Sequence, residues 1–426
     1  MKHTFFGGVH PSGGKELSLA ADIRPVEPRR VAIPLLQHIG AACRCVVSVG
    51  DSVSLGDVIG VPTGLGAAIH ASVSGTVRTI EERPHVGGTL VESVVIENDF
   101  CGHTRLLPPL ADRSGETVMQ RIAEAGIVGM GGAAFPTAVK VQGAVGKADT
   151  LIANGCECEP YLTADDVLLT TAPRQVLRGL ELLRRAIGPK RAVLAVEDNK
   201  KTAIEGLRPC MADFPDIELC ILPTRYPQGS EKQLIRAVTG REAAAGELPV
   251  SVGCAVFNVS TCAAICAAVE EGRPLTQRIV TVSGEAVARP GNYRVPLGTS
   301  FRDLLEAAGG LQVTAHRVVS GGPMMGLSQT DLSVAVVKAT NAVTCLTQQQ
   351  SGTGDRCIRC GRCVAACPMY LQPLYLYRFD DRPRELRRLH LTDCIECGCC
   401  SYICPARLPL TERFRAAKRR MKEAGA

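Results

Sequence analysis

The chain has 426 residues, 46% hydrophobic and 21% charged, enough for roughly two to four globular domains with sizeable cores. No stretch reaches the roughly eighteen uninterrupted apolar residues of a membrane-spanning helix, and the opening MKHTFFGGVH lacks the apolar run of a signal peptide. The expectation is a protein with no transmembrane segment of its own, in the cytoplasm or docked on the cytoplasmic face of a membrane. Twenty cysteines in a chain without a secretion signal point to metal rather than to a disulfide framework. The net charge of +6 is concentrated, because residues 351–426 carry 15 Lys+Arg against 8 Asp+Glu. Nucleic acid is disfavoured, since tryptophan is absent, aromatics total 4%, and the basic tail also holds the candidate metal ligands. The tail is either a solvated basic surface or a docking surface for anionic lipid or an acidic partner.

Four sections follow in chain order, and together they read as a multidomain α/β protein. Residues 1–115 hold short turn-bounded strands such as CRCVVSVGDSVSLGDVIG and ASVSGTVRTI, which predict a β-barrel or sandwich hybrid. The phrases are similar to the biotinyl/lipoyl type of barrel, but the exposed lysine turn that carries the cofactor there has no counterpart, so the barrel is read as structural. Residues 116–275 alternate helix-like runs (QVLRGLELLRRAIG, EKQLIRAVTG) with strand-like ones (TLIAN, RAVLAVED, GCAVFNVST), as an α/β domain does. Residues 276–330 read strand, strand, helix, strand, a small β-grasp unit. Residues 331–426 hold a polar linker, TQQQSGTGD, and a cysteine-rich tail. Between its cysteine motifs, YLQPLYLYRFDDRPRELRRLHL has Leu, Tyr and Arg at helical spacing, so a helical tail is expected.

Within the second section GMGGAAFPTAVK, residues 129–140, bears on chemistry. Its glycines let bare N–H groups approach an anion. A P-loop is excluded because no Gly-Lys-Ser/Thr ends it. Gly129, Gly131 and Ala134 fit G-x-G-x-x-A, yet the preceding ETVMQRIAEAGIVG has helical rather than strand spacing, and Pro136 comes too soon for an uninterrupted helix. The segment is another kind of phosphate cradle or a tight turn.

The tail is more specific. CIRCGRCVAACP supplies Cys357, Cys360, Cys363 and Cys367, and CIECGCCSYICP supplies Cys394, Cys397, Cys400 and Cys404. Both are C-x2-C-x2-C-x3-C-P, the bacterial ferredoxin spacing for two [4Fe–4S] clusters, in which the fourth cysteine of each run serves the other cluster. Cys357, Cys360 and Cys363 are therefore expected to group with Cys404, and Cys394, Cys397 and Cys400 with Cys367. A pair of zinc sites is the alternative, disfavoured by the repeat of all four spacings and the proline. Cys399, at a spacer position, either substitutes as a ligand or packs, with packing preferred, and Cys43, Cys45, Cys156, Cys158, Cys262 and Cys266 fit no complete cluster spacing and are read as packing residues. Two cubes make a one-electron wire, and a flavin is the usual converter between it and a hydride donor.

With these residues in view, GMGGAAFPTAVK, NGCECEP, YPQGSEKQLI and FNVST resemble the NADH-binding flavoprotein subunit of respiratory complex I. Together with GGVHPSGGKELS, IPLLQHIGA, IHASVSGTV, SGGPMMG and the cluster motifs, the chain resembles the C-subunit family of the Rnf electron-transport complex. The resemblance implies FMN, NAD(H) and two [4Fe–4S] clusters as cofactors. It places Gly129, Gly131, Gly132 and Lys140 around the flavin phosphate. Asn154, Glu157 and the Cys158 backbone would lie along the isoalloxazine and ribityl, with Tyr226, Gly229, Glu231, Asn258 and Thr261 completing the pocket. Phe135 and Glu159 would meet the nicotinamide nucleotide. Met130 departs from an arginine of complex I, and Cys156 and Cys158 from an acid and a serine. The implied role is a peripheral subunit passing electrons between NAD(H) and ferredoxin, or another iron–sulfur subunit, in a membrane-embedded, ion-translocating complex at the bacterial inner membrane. Alternatives are a cobalamin reductase of the propanediol-utilisation type, which the tail and loop also resemble, and a flavin-free relay scaffold.

Overall fold

In the computed structural model, which describes residues 4–20, 22–347, 354 and 356–423, four packed units follow one another along the chain. The expected linker lies, apart from Thr347 and Gly354, outside the described residues. The first unit is all β. Arg30–Pro34, Leu90–Asn98, Gly75–Pro84 and Ser52–Val53 form a four-stranded sheet, and Arg44–Cys45, Val58–Val61 and Ile69–His70 a three-stranded one. Val31, Ile33, Val94 and Ile96 alternate inward at strand period and share one core with Cys43, Ile59 and Ile69.

The second unit carries a parallel sheet ordered Ile217–Leu222, Arg191–Glu197, Thr150–Gly155, Cys254–Asn258. Its strands are buried on both faces, as RAVLAVE illustrates with every residue after Arg191 buried, which is why they read as apolar runs without alternation. Helix Pro173–Ile187 starts on its proline, presents Val176, Leu177, Leu180, Leu183 and Ile187 to the sheet, and stops at Gly188 in the left-handed region (φ 72°). Each fully buried leucine of that face contributes about 2–3 kcal/mol. Helix Val259–Glu270 crosses it so closely that a Cβ on Gly179 would lie 1.8 Å from the Cys262 carbonyl oxygen. Cys262 and Cys254 are buried within the two cores of this unit, in keeping with cysteine used as a small hydrophobe.

The third unit is a β-grasp sheet ordered Ile23–Pro25, Gly291–Pro296, Gln277–Ser283, Ala342–Leu346, Arg317–Ser320, Leu327–Gln329, with helix Phe301–Ala307 packed on its core. It takes strands from both sides of the 276–330 stretch. Ile23–Pro25 pairs in parallel with Gly291–Pro296, and the wholly buried AVTCL strand lies between two others; a short apolar run of that kind has no alternation to announce it. Lys338 stitches three units together, its Nζ donating to Ala68 O (2.6 Å) and Gly126 O (2.7 Å) and its N–H to Gln37 Oε1. The fourth unit is helical, with Arg362–Ala366, Pro373–Arg378, Pro383–Arg388, Cys399–Tyr402 and Leu410–Glu423. Among the described residues no helix is long and apolar enough to cross a membrane.

Candidate flavin pocket and cluster centre

Residues 129–134 form a loop closed by hydrogen bonds from Gly129 N to Phe135 O (2.8 Å) and from Ala134 N to Gly129 O (3.2 Å). Gly132 has φ +114° and open space where a side chain would be. The N–H groups of Gly131, Gly132 and Ala133 donate to nothing among the described residues, and all three residues are exposed. The loop rests on the start of helix Val259–Glu270: Met130 N donates to Thr261 Oγ1 (2.9 Å), a Cβ on Gly131 would touch Asn258, and Asn258 caps the helix by accepting from Ser260 N. Free N–H groups beside a helix N-terminus form an anion cradle. Gly129, Gly131, Gly132, Asn258 and Thr261 are thus gathered at one place. The loop follows helix Gly115–Glu124 and precedes helix Thr137–Ala144, so it is not a Rossmann turn.

Beside this cradle Lys140 Nζ meets Glu231 Oε1 at 2.7 Å and lies over the Phe257 ring. At the end of strand Thr150–Gly155, Asn154 Nδ2 donates to Gly229 O (2.9 Å) and Asn154 Oδ1 accepts from Cys156 N. Gly229 N donates to Cys158 Sγ (3.3 Å), and burial raises the Cys158 thiol well above its usual range. Phe135, half-buried, contributes its carbonyl to the loop closure.

Three of the residues singled out in the sequence turn elsewhere. The Glu157 carboxylate faces inward, accepting from Asp165 N (3.0 Å) and Asp166 N (3.4 Å), with Lys200 Nζ 3.7 Å away. The Glu159 carboxylate accepts from Met325 N (2.8 Å) and Met324 N (3.1 Å) of the β-grasp unit, and burial raises its pKa to about 7. Tyr226 points its hydroxyl at Cys397 O (2.7 Å).

Beneath the pocket lies a buried charge cluster that sequence reasoning missed. Lys200 is 1% exposed between Glu157 and Asp166, and Glu197 is 0% exposed, its pKa raised to about 7 by burial. Asp165, raised to about 6 by burial and by Glu157, accepts from Ser260 Oγ (2.6 Å) and Asn258 Nδ2 (2.7 Å). An acid at the carboxyl end of an apolar parallel strand, as in AVLAVED, was the available signal, since ligands of open α/β sheets collect there.

In the helical unit one cavity is lined by Cys357, Cys360, Cys363 and Cys404, and a second by Cys367, Cys394, Cys397 and Cys400. This is the crossed grouping. The two motifs repeat one backbone path, with Arg359 and Glu396 at φ 57° and 56°, and Gly361 and Gly398 at 75° and 82°. Arg359 N and Glu396 N each lie 3.4 Å from the sulfur of the motif's first cysteine. Four thiols around a cavity, with N–H groups directed at sulfur, fit the cube that the spacing demands. Cys399 lines the second cavity as well. It is 0% exposed and packs with Val9, Tyr226, Ala366 and Cys397, against which Cys158 and Met324 also rest. The second ring therefore abuts the pocket loops, whereas the first reaches the surface at exposed Cys360 and at Ile358, 64% exposed.

This geometry defines an iron–sulfur flavoprotein, a mononucleotide cradle joined to a two-cluster ferredoxin unit. The Nuo51 FMN-binding domain matches residues 122–267, the RnfC barrel sandwich hybrid domain 3–101, the SLBB domain 279–328 and the 4Fe-4S dicluster domain 356–408. The chain is 41% identical to the C subunit of the Na(+)-translocating ferredoxin:NAD(+) oxidoreductase complex of Acetobacterium woodii, over 90% of this chain and 88% of that one. It is also 41% identical to the C subunit of the proton-translocating ferredoxin:NAD(+) oxidoreductase complex of Clostridium ljungdahlii, over 88% and 84%. The C subunit of the ion-translocating oxidoreductase complex of Salmonella typhimurium is 41% identical over 97% of this chain and 58% of its own length. Among solved structures, an air-oxidized NAD+-reducing [NiFe]-hydrogenase shares the fold (TM-score 0.53, 22% identity, 71% of this chain and 63% of that one). The chain belongs to the family of C subunits of ion-translocating oxidoreductase complexes, and it is an oxidoreductase component with FMN-binding and 4Fe–4S dicluster domains.

Proposed function

We propose that this subunit, peripheral on the cytoplasmic side of a bacterial membrane, carries electrons between NAD(H) and ferredoxin or another iron–sulfur subunit of a membrane-embedded complex. The observation that carries the reading is the junction of pocket and ring, where Tyr226 donates to the Cys397 carbonyl and Cys158 packs on the same group of residues. Bound FMN supplies the conversion between a hydride and single electrons, and the two [4Fe–4S] clusters supply one-electron steps. The free N–H groups of residues 131–133, with Gly129, Lys140 and Thr261, hold its phosphate. Asn154, Cys158, Gly229, Glu231 and Asn258 orient its ring and ribityl, while Glu157, its carboxylate held by the Asp165 and Asp166 amides, braces the turn that carries them, with Tyr226 at the side of the second ring. Phe135 and Glu159 are assigned to the nicotinamide nucleotide, which requires Glu159 to leave the Met324 and Met325 amides or to serve through its backbone. The second cysteine ring exchanges electrons with the pocket, and the first with a partner at the surface. The two relatives named for sodium and for protons are equally identical to this chain, which supports placing ion choice in other subunits.

An anaerobic absorbance spectrum of the cluster-reconstituted chain with FMN, before and after NADH, tests this. Bleaching of both flavin and cluster bands is expected. Intact clusters with no retained flavin and no response to NADH overturn the proposal in favour of a relay.

A further inference from the structure

Residues 5–18 run along the seam where the pocket meets the second cysteine ring, and they touch every unit that meets there. Gly8 N donates to Ala366 O (2.9 Å), and Val9 exchanges backbone hydrogen bonds with Tyr226 (2.8 and 2.9 Å). Ser18 Oγ lies 2.9 Å from Thr163 Oγ1, and Ser18 O accepts from Asn292 Nδ2 (2.8 Å). In the middle of this segment Lys15 sends its ammonium under the turn that follows strand Thr150–Gly155. Its Nζ donates to Glu157 O (2.8 Å) and Glu159 O (2.9 Å) and also to Leu162 O. A lysine ammonium has three donors and no acceptor, so all three are used on one turn. Gly14, at φ +57°, is pressed against the Tyr161 ring, 2.5 Å from where a Cβ would sit, and Tyr161 N donates to Gly13 O. The Gly-Gly-Lys sequence thus has a steric reason as well as a polar one.

The cation also has a charge role. Lys200, Glu157, Glu197 and Cys158 all act electrostatically on Lys15, and burial with the Lys200 charge lowers its pKa to about 8. At neutral pH it stays protonated beneath the turn that carries Cys158, whose sulfur accepts from Gly229 N. Reduction of a flavin by hydride adds negative charge to its ring system, and a fixed cation in a low-dielectric site favours that form. Lys15 lies outside the 122–267 match to the FMN-binding domain and comes from the unit that the sequence alone marks as structural.

We propose that Lys15 is a positioning residue of the flavin pocket, its ammonium clamping the Glu157–Leu162 turn and biasing the pocket toward reduced flavin. This rests on the flavin reading of the 129–134 loop and the Asn154–Cys158 turn. The test uses the full, cluster-reconstituted chain as parent, Lys15→Met and Lys15→Arg, measuring FMN affinity by fluorescence quenching and the reduced-to-oxidised flavin ratio at a fixed dye-set potential. Lys15→Met is expected to weaken FMN binding at least about tenfold and to lower the ratio several-fold, with an unchanged cluster spectrum. Lys15→Arg is expected to hold the ratio near the parent's while binding FMN more weakly, because a planar fork does not fit three converging carbonyls. Parental affinity and ratio in Lys15→Met overturn the proposal. If Lys15→Met does not fold, Lys15→Arg decides, and parental affinity with an altered ratio overturns it. A parent that binds no FMN overturns the flavin reading and this proposal with it, an outcome distinct from failure of Lys15 alone.

Discussion

Replacing Lys200 by Met removes a cation from a site where it is 1% exposed. Its Nζ stands 3.5 Å from Asp166 Oδ2 and 3.7 Å from Glu157 Oε2, with Glu197 close enough to act on it. At an effective dielectric constant of about 20, each of the two pairs is worth roughly 4–5 kcal/mol of attraction, much of it offset by the desolvation of the charges. Removing one partner leaves carboxylates buried without their counter-ion, for which a net loss of about 3–5 kcal/mol is expected. The loss has a signed pH dependence. Burial already raises Asp166 and lifts Glu197 from 4.5 to about 7, and loss of the cation raises both further. An acid whose folded pKa lies above its unfolded value binds more protons folded than unfolded between the two, so stability falls as pH climbs through that window. Thermal melts of Lys200→Met should therefore show a larger loss at about pH 8 than at about pH 5.5, and adding Asp166→Asn should recover part of it. A loss equal at both pH values, or unaffected by the second substitution, would refute the buried-charge account.

Cys404→Ala should abolish the first cluster, the one held by Cys357, Cys360 and Cys363, and leave the second, although Cys404 belongs to the second motif; iron analysis with electron paramagnetic resonance separates the two. Cys399→Ala should keep the full iron content, because the second cavity has four other thiols; loss of a cluster would make Cys399 a ligand. Gly229→Ala would place a Cβ 2.1 Å from Cys156 O and 3.3 Å from Cys158 Sγ. That overlap costs about 1–3 kcal/mol and should weaken FMN binding about tenfold or more, as read by flavin fluorescence.

Local pattern carried the elements whose cause is local. The strong periodicity of QVLRGLELLRRAIG predicts a helix, observed at Pro173–Ile187, and the repeated cysteine spacing predicts both rings, because the ferredoxin motif itself assigns the fourth cysteine of each run to the other cluster. The 129–134 loop was legible as a turn with free N–H groups, but its support by Thr261 and Asn258 required the long-range pairing of strands Thr150–Gly155 and Cys254–Asn258. The resemblance to the flavoprotein subunit of complex I assigns Glu159 and Tyr226 to the pocket. Their side chains instead answer to partners at Met324, Met325 and Cys397, which lie more than 160 positions away and leave no mark in the local pattern. Lys15, Lys200 and Glu197 were invisible for a related reason, since a lone charged residue reads as a solvated face until burial is known.

The two cysteine motifs share one backbone geometry, so any difference in potential between their clusters must come from the residues around the ligands. At the position before the third ligand the second motif has Cys399, wholly buried, and the first has Arg362, exposed. At the position before the second ligand, Glu396 is paired with Arg415 (3.1 Å) and Lys418 (3.0 Å), whereas the first motif has exposed Arg359. The inner ring's cysteines are consequently the more buried and are bordered by an acid with its own partners, and the outer ring's are the more exposed and are bordered by Arg356, Arg359 and Arg362, all exposed. Reduction adds negative charge to a cluster, and water and nearby cations stabilise it, so the outer cluster should hold the higher potential. In a potentiometric titration followed by electron paramagnetic resonance, the cluster abolished by Cys404→Ala should be the one that reduces first. The opposite order would mean that the sulfur environment of the inner ring, with Cys399 beside Cys397, outweighs solvent and arginine charge.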